Sequence, residues 1–401
     1  MKDTQDMTGK PIRLPEDVIQ MRDMVRRFVD EEVEPLAAEI EADNRIPEVL
    51  MAKARQLGFM GFSIPEQFGG LGINELVSSV AVEAMSHGPG GATFYFAPSA
   101  PAAAINYAGT EEQKERYLPG LAAGTSIAAF CLTEANAGSD ARGISTKAVR
   151  RDDGKWVING TKLWVSRAYN ADVFLVSAVT SPDQGDGKKG ITIFLLDRRD
   201  GLTTSAPDLQ LGGRGSGSAE VVFNDVVVDE TERLGELHQG FDALKFILGR
   251  ARLWAAARAV GCISKACELS IDYANTRRQF GKALAEFQMV KEKIADMVAD
   301  LYSARLLLYQ AAMLFDDGID AAQEAAYAKL FASEAAGRAA DACVQIHGAM
   351  GVANGFAAER LYRDVRAYRI LDGTSDIQRL MIASRIQKQG MGDNIAPGGA
   401  A

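Results

Sequence analysis

The chain has 401 residues, of which 47% are hydrophobic and 24% charged, and its formal net charge is -9. That length holds about two to three domains at roughly 150 residues each, and the composition excludes a disordered or fibrous chain. The acidic total argues against non-specific nucleic-acid binding, which needs a basic surface, and no run nears the ~20 apolar residues of a membrane span.

Residues 1–15 carry Asp3 and Asp6 and no apolar core, so neither a secretory nor a transit signal is expected and a cytoplasmic location follows by default. In residues 17–41, Val18, Met21, Met24, Val25, Phe28 and Val29 recur at the three-and-four spacing of one helical face. Glycines at 69, 70 and 72 predict a loop. Residues 1–125 therefore read as an all-α domain.

From 126 to 239 the pattern changes to short β-branched or alternating runs, such as 193–195 and 221–228, between the turn signals Asp152-Asp153-Gly154 and Asn159-Gly160. No long helix intervenes, which favours an antiparallel β domain. After Gly240 the helical period returns: Phe287, Val290, Ile294, Met297 and Leu301 share a face, and the alanine-rich stretch 321–342 has high helix propensity. Residues 240–390 thus predict a helical bundle, and the Gly-rich tail 391–401 an unstructured end. The fold class is α+β, in the order helices, antiparallel sheet, helices.

Several common motifs are missing. Gly212-Gly213-Arg214-Gly215-Ser216-Gly217 departs from G-x-G-x-x-G and precedes a strand, so it reads as a loop. Gly281-Lys282 lacks the upstream glycine of a P-loop, and no G-x-S-x-G or zincin spacing occurs. Cys131, Cys262, Cys267 and Cys343 have no paired spacing, and three histidines are too few for a metal cluster, so the cysteines read as buried free thiols. His347 reads as a structural histidine.

Against that background, Phe130-Cys131-Leu132-Thr133-Glu134-Ala135-Asn136-Ala137-Gly138-Ser139-Asp140 resembles the first signature of the acyl-CoA dehydrogenases, with Ala135 where the family usually has proline. The likeness runs from Gly58-Phe59-Met60-Gly61 through Tyr117-Leu118-Pro119 to Arg379. It implies that family's fold and non-covalent FAD. A flavin accepting hydride gathers negative charge and needs fixed donors. By resemblance Phe130, Leu132 and Thr133 contact the flavin, and Gly138 and Ser139 lie at the pyrophosphate and the substrate phosphate. Read alone, Thr133 and Ser139 are equally turn formers. Trp164 and Ser166 match the segment that packs on the isoalloxazine ring; alone they also fit a core tryptophan and a solvated serine.

Arg277-Arg278-Gln279-Phe280-Gly281-Lys282, with Gln288, resembles the family's adenine and pyrophosphate contact, donated from a neighbouring subunit. Gln345 and Gly348 continue it. A charged loop between helices is the alternative. The resemblance also implies a homotetramer, an acyl-CoA substrate and an electron-transferring flavoprotein as partner.

Abstracting a proton α to a thioester needs a carboxylate and donors on the thioester oxygen. The family's glutamate before Gly-Thr-Ser falls at Asp372 in Ile370-Leu371-Asp372-Gly373-Thr374-Ser375-Asp376. Asp372 is the expected base, its backbone N–H and Gly373 lie at the thioester, and Thr374 and Asp376 contact the cofactor. Ala251 fills the family's alternative base position, and Arg252 matches an arginine near the substrate, although Arg250 and Arg252 also suit interface charges. Because aspartate appears here in some relatives and in nitroalkane oxidases of the same fold, a flavin oxidase or monooxygenase, or a silent FAD-binding protein, stands beside the dehydrogenase reading. An N-cap role is open to Thr374 or Ser375.

Overall fold

In the computed structural model, residues 14–183, 185 and 188–389 are described, so the expectations for residues 1–13 and the tail 391–401 lie outside them. The face anticipated in 17–41 is buried at Val18, Val25, Phe28 and Val29, but it does not belong to one α-helix. Helix α1 (Glu16–Phe28) passes into a π-turn at Val29–Val33 and a 3-10 turn at Glu34–Leu36 before α2 (Ala37–Asp43). Pro35 lacks the N–H that would continue the i to i−4 ladder, and the chain rewinds around it. Helices α3 (Glu48–Gln56), α4 (Glu75–Met85), α5 (Gly90–Phe96), α6 (Ala100–Ala108) and α7 (Glu111–Ala123) complete the first region.

The middle region is a twisted sheet of β1 (Ala128–Cys131), β2 (Lys147–Arg150), β3 (Trp156–Val165), β4 (Val173–Ser181), β5 (Gly190–Asp197), β6 (Leu202–Thr204), β7 (Ala219–Val228) and β8 (Arg233–Leu234). Its order is β6-β7-β3-β2-β4-β5-β8, with β1 also against β4. Most neighbours are antiparallel, as expected, but β1 runs parallel to β4 from Ala128↔Val173 to Cys131↔Val176. Val173, Leu175, Ile193 and Leu195 pack on the helices beside one face, while Phe174, Val176, Phe194 and Leu196 fill the other. Burial on both faces explains why β5 reads as an unbroken apolar run.

Asn159-Gly160 is not a turn. It lies inside β3 at a bulge, where the Asn159 side chain exchanges hydrogen bonds with Asp225 (3.0 and 2.8 Å) across the strand pair. The extra residue is in β7, where Ile158↔Val226 is followed by Gly160↔Phe223 and Asp225 takes φ 52°; the glycine is needed because a Cβ there would collide with Thr146. By contrast Asp152-Asp153-Gly154 does turn between β2 and β3, and Gly212–Gly217 is a loop.

Helix α8 (Gly240–Thr276), a short hairpin of β9 (Arg278–Gln279) and β10 (Lys282–Ala283), and helices α9 (Gln288–Asp316), α10 (Ala322–His347), α11 (Ala357–Tyr368) and α12 (Ser375–Gln389) form the bundle. At about 1.5 Å per residue α8 is roughly 55 Å long, and residues 251–264 are buried almost throughout. No helix among the described residues is long and apolar enough to cross a membrane. The four thiols are buried: Cys131 in β1, Cys262 and Cys267 in α8, Cys343 in α10. His347 is structural, its Nδ1–H donating to the Cys343 carbonyl (2.7 Å) and its ring stacked on Tyr273 (4.4 Å).

Asp364 of α11 ties the three regions together. Its carboxylate accepts from the Gly90 N–H at the start of α5 (3.0 Å) and the Gly213 N–H of the Gly-rich loop (2.6 Å). A Cβ at Gly91 would sit 1.8 Å from the Arg214 carbonyl oxygen, so this loop is glycine-rich because helix and loop backbones touch.

Candidate active site

The segment 130–139 leaves β1 and meets β3 through a hydrogen bond from the Leu163 N–H to the Thr133 carbonyl (2.9 Å). Glu134 and Ala137 exchange backbone bonds, so Ala135 and Asn136 turn the chain and leave Gly138 and Ser139 exposed. Beneath the turn Glu134 is held by the Lys162 ammonium (2.8 Å), the Ser145 N–H (2.7 Å) and hydroxyl (2.6 Å), and the Thr146 N–H (2.9 Å). Burial pushes the Glu134 pKa up, but these donors outweigh it and bring it down to about 2. Lys162 also donates to the Leu132 carbonyl (3.1 Å). The pair therefore fixes the backbone on which Leu132 and Thr133 are displayed. The sequence reading assigned neither residue.

A second bulge, between Lys162 and Val165, reverses the in-and-out alternation of β3. Trp164 is turned outward with φ 58° and is 60% exposed. That removes the core-tryptophan alternative. The hydroxyls of Thr133, Ser139 and Ser166 have no partner among the described residues, so Thr133 and Ser139 close no side-chain turn bond. A flat indole beside free hydroxyls, with Phe130 half-buried alongside, fits an isoalloxazine ring and its polar edge.

Asp372 sits in the turn between α11 and α12 with φ 55°, and Gly373 follows with φ 92°. A Cβ at Gly373 would meet the Gln378 Nε2 at 2.6 Å. The Gly373 carbonyl accepts from Lys329 (2.6 Å) and Gln378 (2.9 Å), so the turn is anchored from α10 and α12. The Asp372 N–H has no acceptor among the described residues. Its side chain, 27% exposed, has the Arg258 Nη1 4.0 Å away. Burial raises the Asp372 pKa, and Arg258, Lys329 and Arg252 oppose without cancelling it. Lys329 is brought down to about 8 by burial.

Arg252 is buried on α8 with its Nε unpartnered. Arg250 is instead a structural tie, bonded to Glu75 (3.0 Å) and stacked on Phe246. Thr374 caps α12, its hydroxyl accepting from the Ile377 N–H (3.2 Å), and Asp376 is exposed and paired with Arg379 (3.3 Å).

The remaining candidates lie at one end of the bundle, where Tyr273 stacks on His347 and brings the ends of α8 and α10 together. Arg277, Gln288 and Gln345 are exposed and their side chains have no partner among the described residues. Phe280, at the hairpin tip with φ 51°, is 92% exposed, and Gly348, following α10, is also exposed. An aromatic that bare on a folded surface fits a partner surface or a ligand.

Residues 15–125, 129–226 and 238–387 match the N-terminal, middle and C-terminal domains of acyl-CoA dehydrogenase. A probable acyl-CoA dehydrogenase of Bacillus subtilis is 40% identical, over 92% of this chain and 97% of its own. Butyryl-CoA dehydrogenase from Megasphaera elsdenii has the same fold with a TM-score of 0.90 at 32% identity, covering 94% of this chain and all of its own. PigA in complex with FAD superposes with a TM-score of 0.88 at 28% identity, over 95% and 100% of the two chains.

Proposed function

Because the chain belongs to the acyl-CoA dehydrogenase family of FAD-dependent oxidoreductases, we propose that it oxidises an acyl-CoA thioester to the enoyl-CoA and passes the two electrons to an electron-transferring flavoprotein. The observation that carries this reading is Asp372, a carboxylate with a raised pKa on an anchored turn, beside its own free N–H.

Asp372 takes the proton from the α-carbon. Its N–H donates to the thioester oxygen, where negative charge grows as that proton leaves. Bound FAD supplies the acceptor for the hydride lost from the β-carbon. Phe130, Leu132, Thr133, Trp164 and Ser166 hold the flavin. Gly138 and Ser139 lie at the pyrophosphate, Ser139 also at the substrate phosphate, and Arg252 and Gly373 complete the thioester pocket. Thr374 and Asp376 border the cofactor. Arg277, Phe280, Gln288, Gln345 and Gly348 serve the FAD of a neighbouring subunit in a homotetramer working in the cytoplasm.

Aspartate is one methylene shorter than glutamate, so its oxygens start about 1.5 Å further from a substrate in the family's pose, and a displacement near 1 Å costs on the order of a hundredfold in rate. The native acyl group therefore brings its α-hydrogen closer to Asp372 or fills the extra room. Anaerobic bleaching of the flavin by a panel of acyl-CoAs tests the function. Bleaching by at least one thioester, with little peroxide formed in air, is expected. Rapid peroxide formation points to an oxidase, and a flavin that no thioester bleaches overturns the reading.

A further inference from the structure

The side chains around Asp372 carry more positive charge than one carboxylate balances. Arg252 and Arg258 of α8 and Lys329 of α10 are all buried, and each acts electrostatically on Asp372. Lys329 has a partner in the Gly373 carbonyl. The two arginines donate no hydrogen bond among the described residues, and the Nε of each is buried and unpartnered.

Arg258 is the more telling of the two. It is 6% exposed, stacked over the Phe94 ring of α5 (4.6 Å to the centroid) and 4.0 Å from the Asp372 carboxylate. That separation is too long for a hydrogen bond. Structural arginines elsewhere in the molecule bond their carboxylates directly: Arg360 through one Nη onto both oxygens of Glu34 at 2.6 and 2.8 Å, Arg338 as a fork onto Asp300 at 3.0 and 2.9 Å. Beyond Phe94 lies Arg167, whose guanidinium donates to the Phe94 (2.6 Å) and Ala97 (3.1 Å) carbonyls. It adds positive charge and fixes the ring on which Arg258 rests. A buried cation without donors satisfied is costly, and a planar fork held against an aromatic face is shaped for a carboxylate.

On the reading that Asp372 is the base, we infer that Arg258 binds a second carboxylate on the acyl group, so that the substrate is a short dicarboxylic acyl-CoA. The chain is short because Asp372 must reach the α-carbon while Arg258 lies 4.0 Å from Asp372. At ~1.5 Å per bond, acyl chains of about four to six carbons bring the second carboxylate to the guanidinium. Arg252 is left to the thioester side.

The test compares anaerobic flavin reduction by butyryl-CoA with that by succinyl-, glutaryl- and adipyl-CoA, in the wild-type holoprotein and in Arg258→Gln and Arg258→Lys. Calorimetry on Asp372→Asn measures binding of the same thioesters without turnover. At least one dicarboxylic thioester is expected to exceed butyryl-CoA tenfold or more in kcat/KM and in affinity. Arg258→Gln should cut that preference ten- to a hundredfold, mainly through KM, and Arg258→Lys should restore part of it. If butyryl-CoA equals or surpasses every diacid in the wild type, the inference fails while the dehydrogenase reading stands. The same holds if Arg258→Gln keeps the preference. If no thioester reduces the flavin, both fail. The wild-type comparison decides the matter even where a variant does not fold.

Discussion

Glu134 and Asp372 are two carboxylates near buried lysines, and they end in opposite states. Glu134 in the sheet receives four hydrogen bonds and is held at a pKa of about 2. Asp372 in the bundle has cations around it but no direct donor; Arg258 stays 4.0 Å away, Lys329 bonds the Gly373 carbonyl instead, and the Asp372 pKa is raised. The signs of their effects on stability follow. The lowered Glu134 pKa gives stability that is present above its unfolded value of ~4.3 and is lost as the pH falls toward 2. Asp372 binds its proton more tightly folded than unfolded, so ionising it above ~3.9 costs stability. A carboxylate satisfied on all sides supports backbone. One left short of donors is available to a proton.

The largest effect expected from this contrast is on catalysis. Asp372→Asn should slow flavin reduction by about a hundred- to ten-thousand-fold, the usual contribution of a general base, while FAD stays bound. Stopped-flow reduction checks it, and a wild-type rate would show that Asp372 is not the base.

Glu134→Gln should act on folding instead. Breaking one partner of a buried pair costs about 3–5 kcal/mol, read as a lower denaturant midpoint, and the acid limb attributable to Glu134 should vanish with it. A variant that unfolds at the wild-type midpoint would remove the contrast. Lys329→Met is smaller and sharper: it removes a cation that favours ionised Asp372 and one anchor of Gly373. The apparent pKa of the low-pH limb of kcat/KM should rise, and the rate at neutral pH should fall about tenfold. An unmoved limb would show that Lys329 does not act on the base.

The smallest effect is the wild-type pH profile itself. A base works ionised, so on the proposal that Asp372 is that base flavin reduction should rise with pH through an apparent pKa above the ordinary ~3.9 of aspartate. A midpoint at or below that value would contradict the burial of the base.

Helices, sheet and bundle were legible because the apolar period changes twice along the chain, and the resemblance placed Asp372 on the residues before Gly-Thr-Ser. What stayed hidden was local. Pro35 converts an apparently continuous helical face into three helical forms, Asn159-Gly160 lies inside β3 opposite a bulge of β7, and a bulge in β3 turns Trp164 out. Lys162 keeps the inward parity of Trp156 and Ile158, so its burial was readable from alternation alone. Arg258 was also marked, as a lone charge in the apolar run from Leu253 to Val260 on α8. Its distance from Asp372 was not, because α8 and the turn after α11 are far apart in sequence.

The distribution of the thiols supplies a way to time the molecule's opening. Burial holds Cys131 and Cys267 at about 12, and Cys262 higher still, so the native thiols carry almost no reactive thiolate at neutral pH. A thiol reagent then reports only on the conformations that expose them. Cys131 reads the sheet, whereas Cys262, Cys267 and Cys343 read the bundle. Peptide mapping of a labelling time course would therefore show which region opens first, with no engineered probe, and bound FAD or substrate would register as a slower clock at whichever thiol it guards.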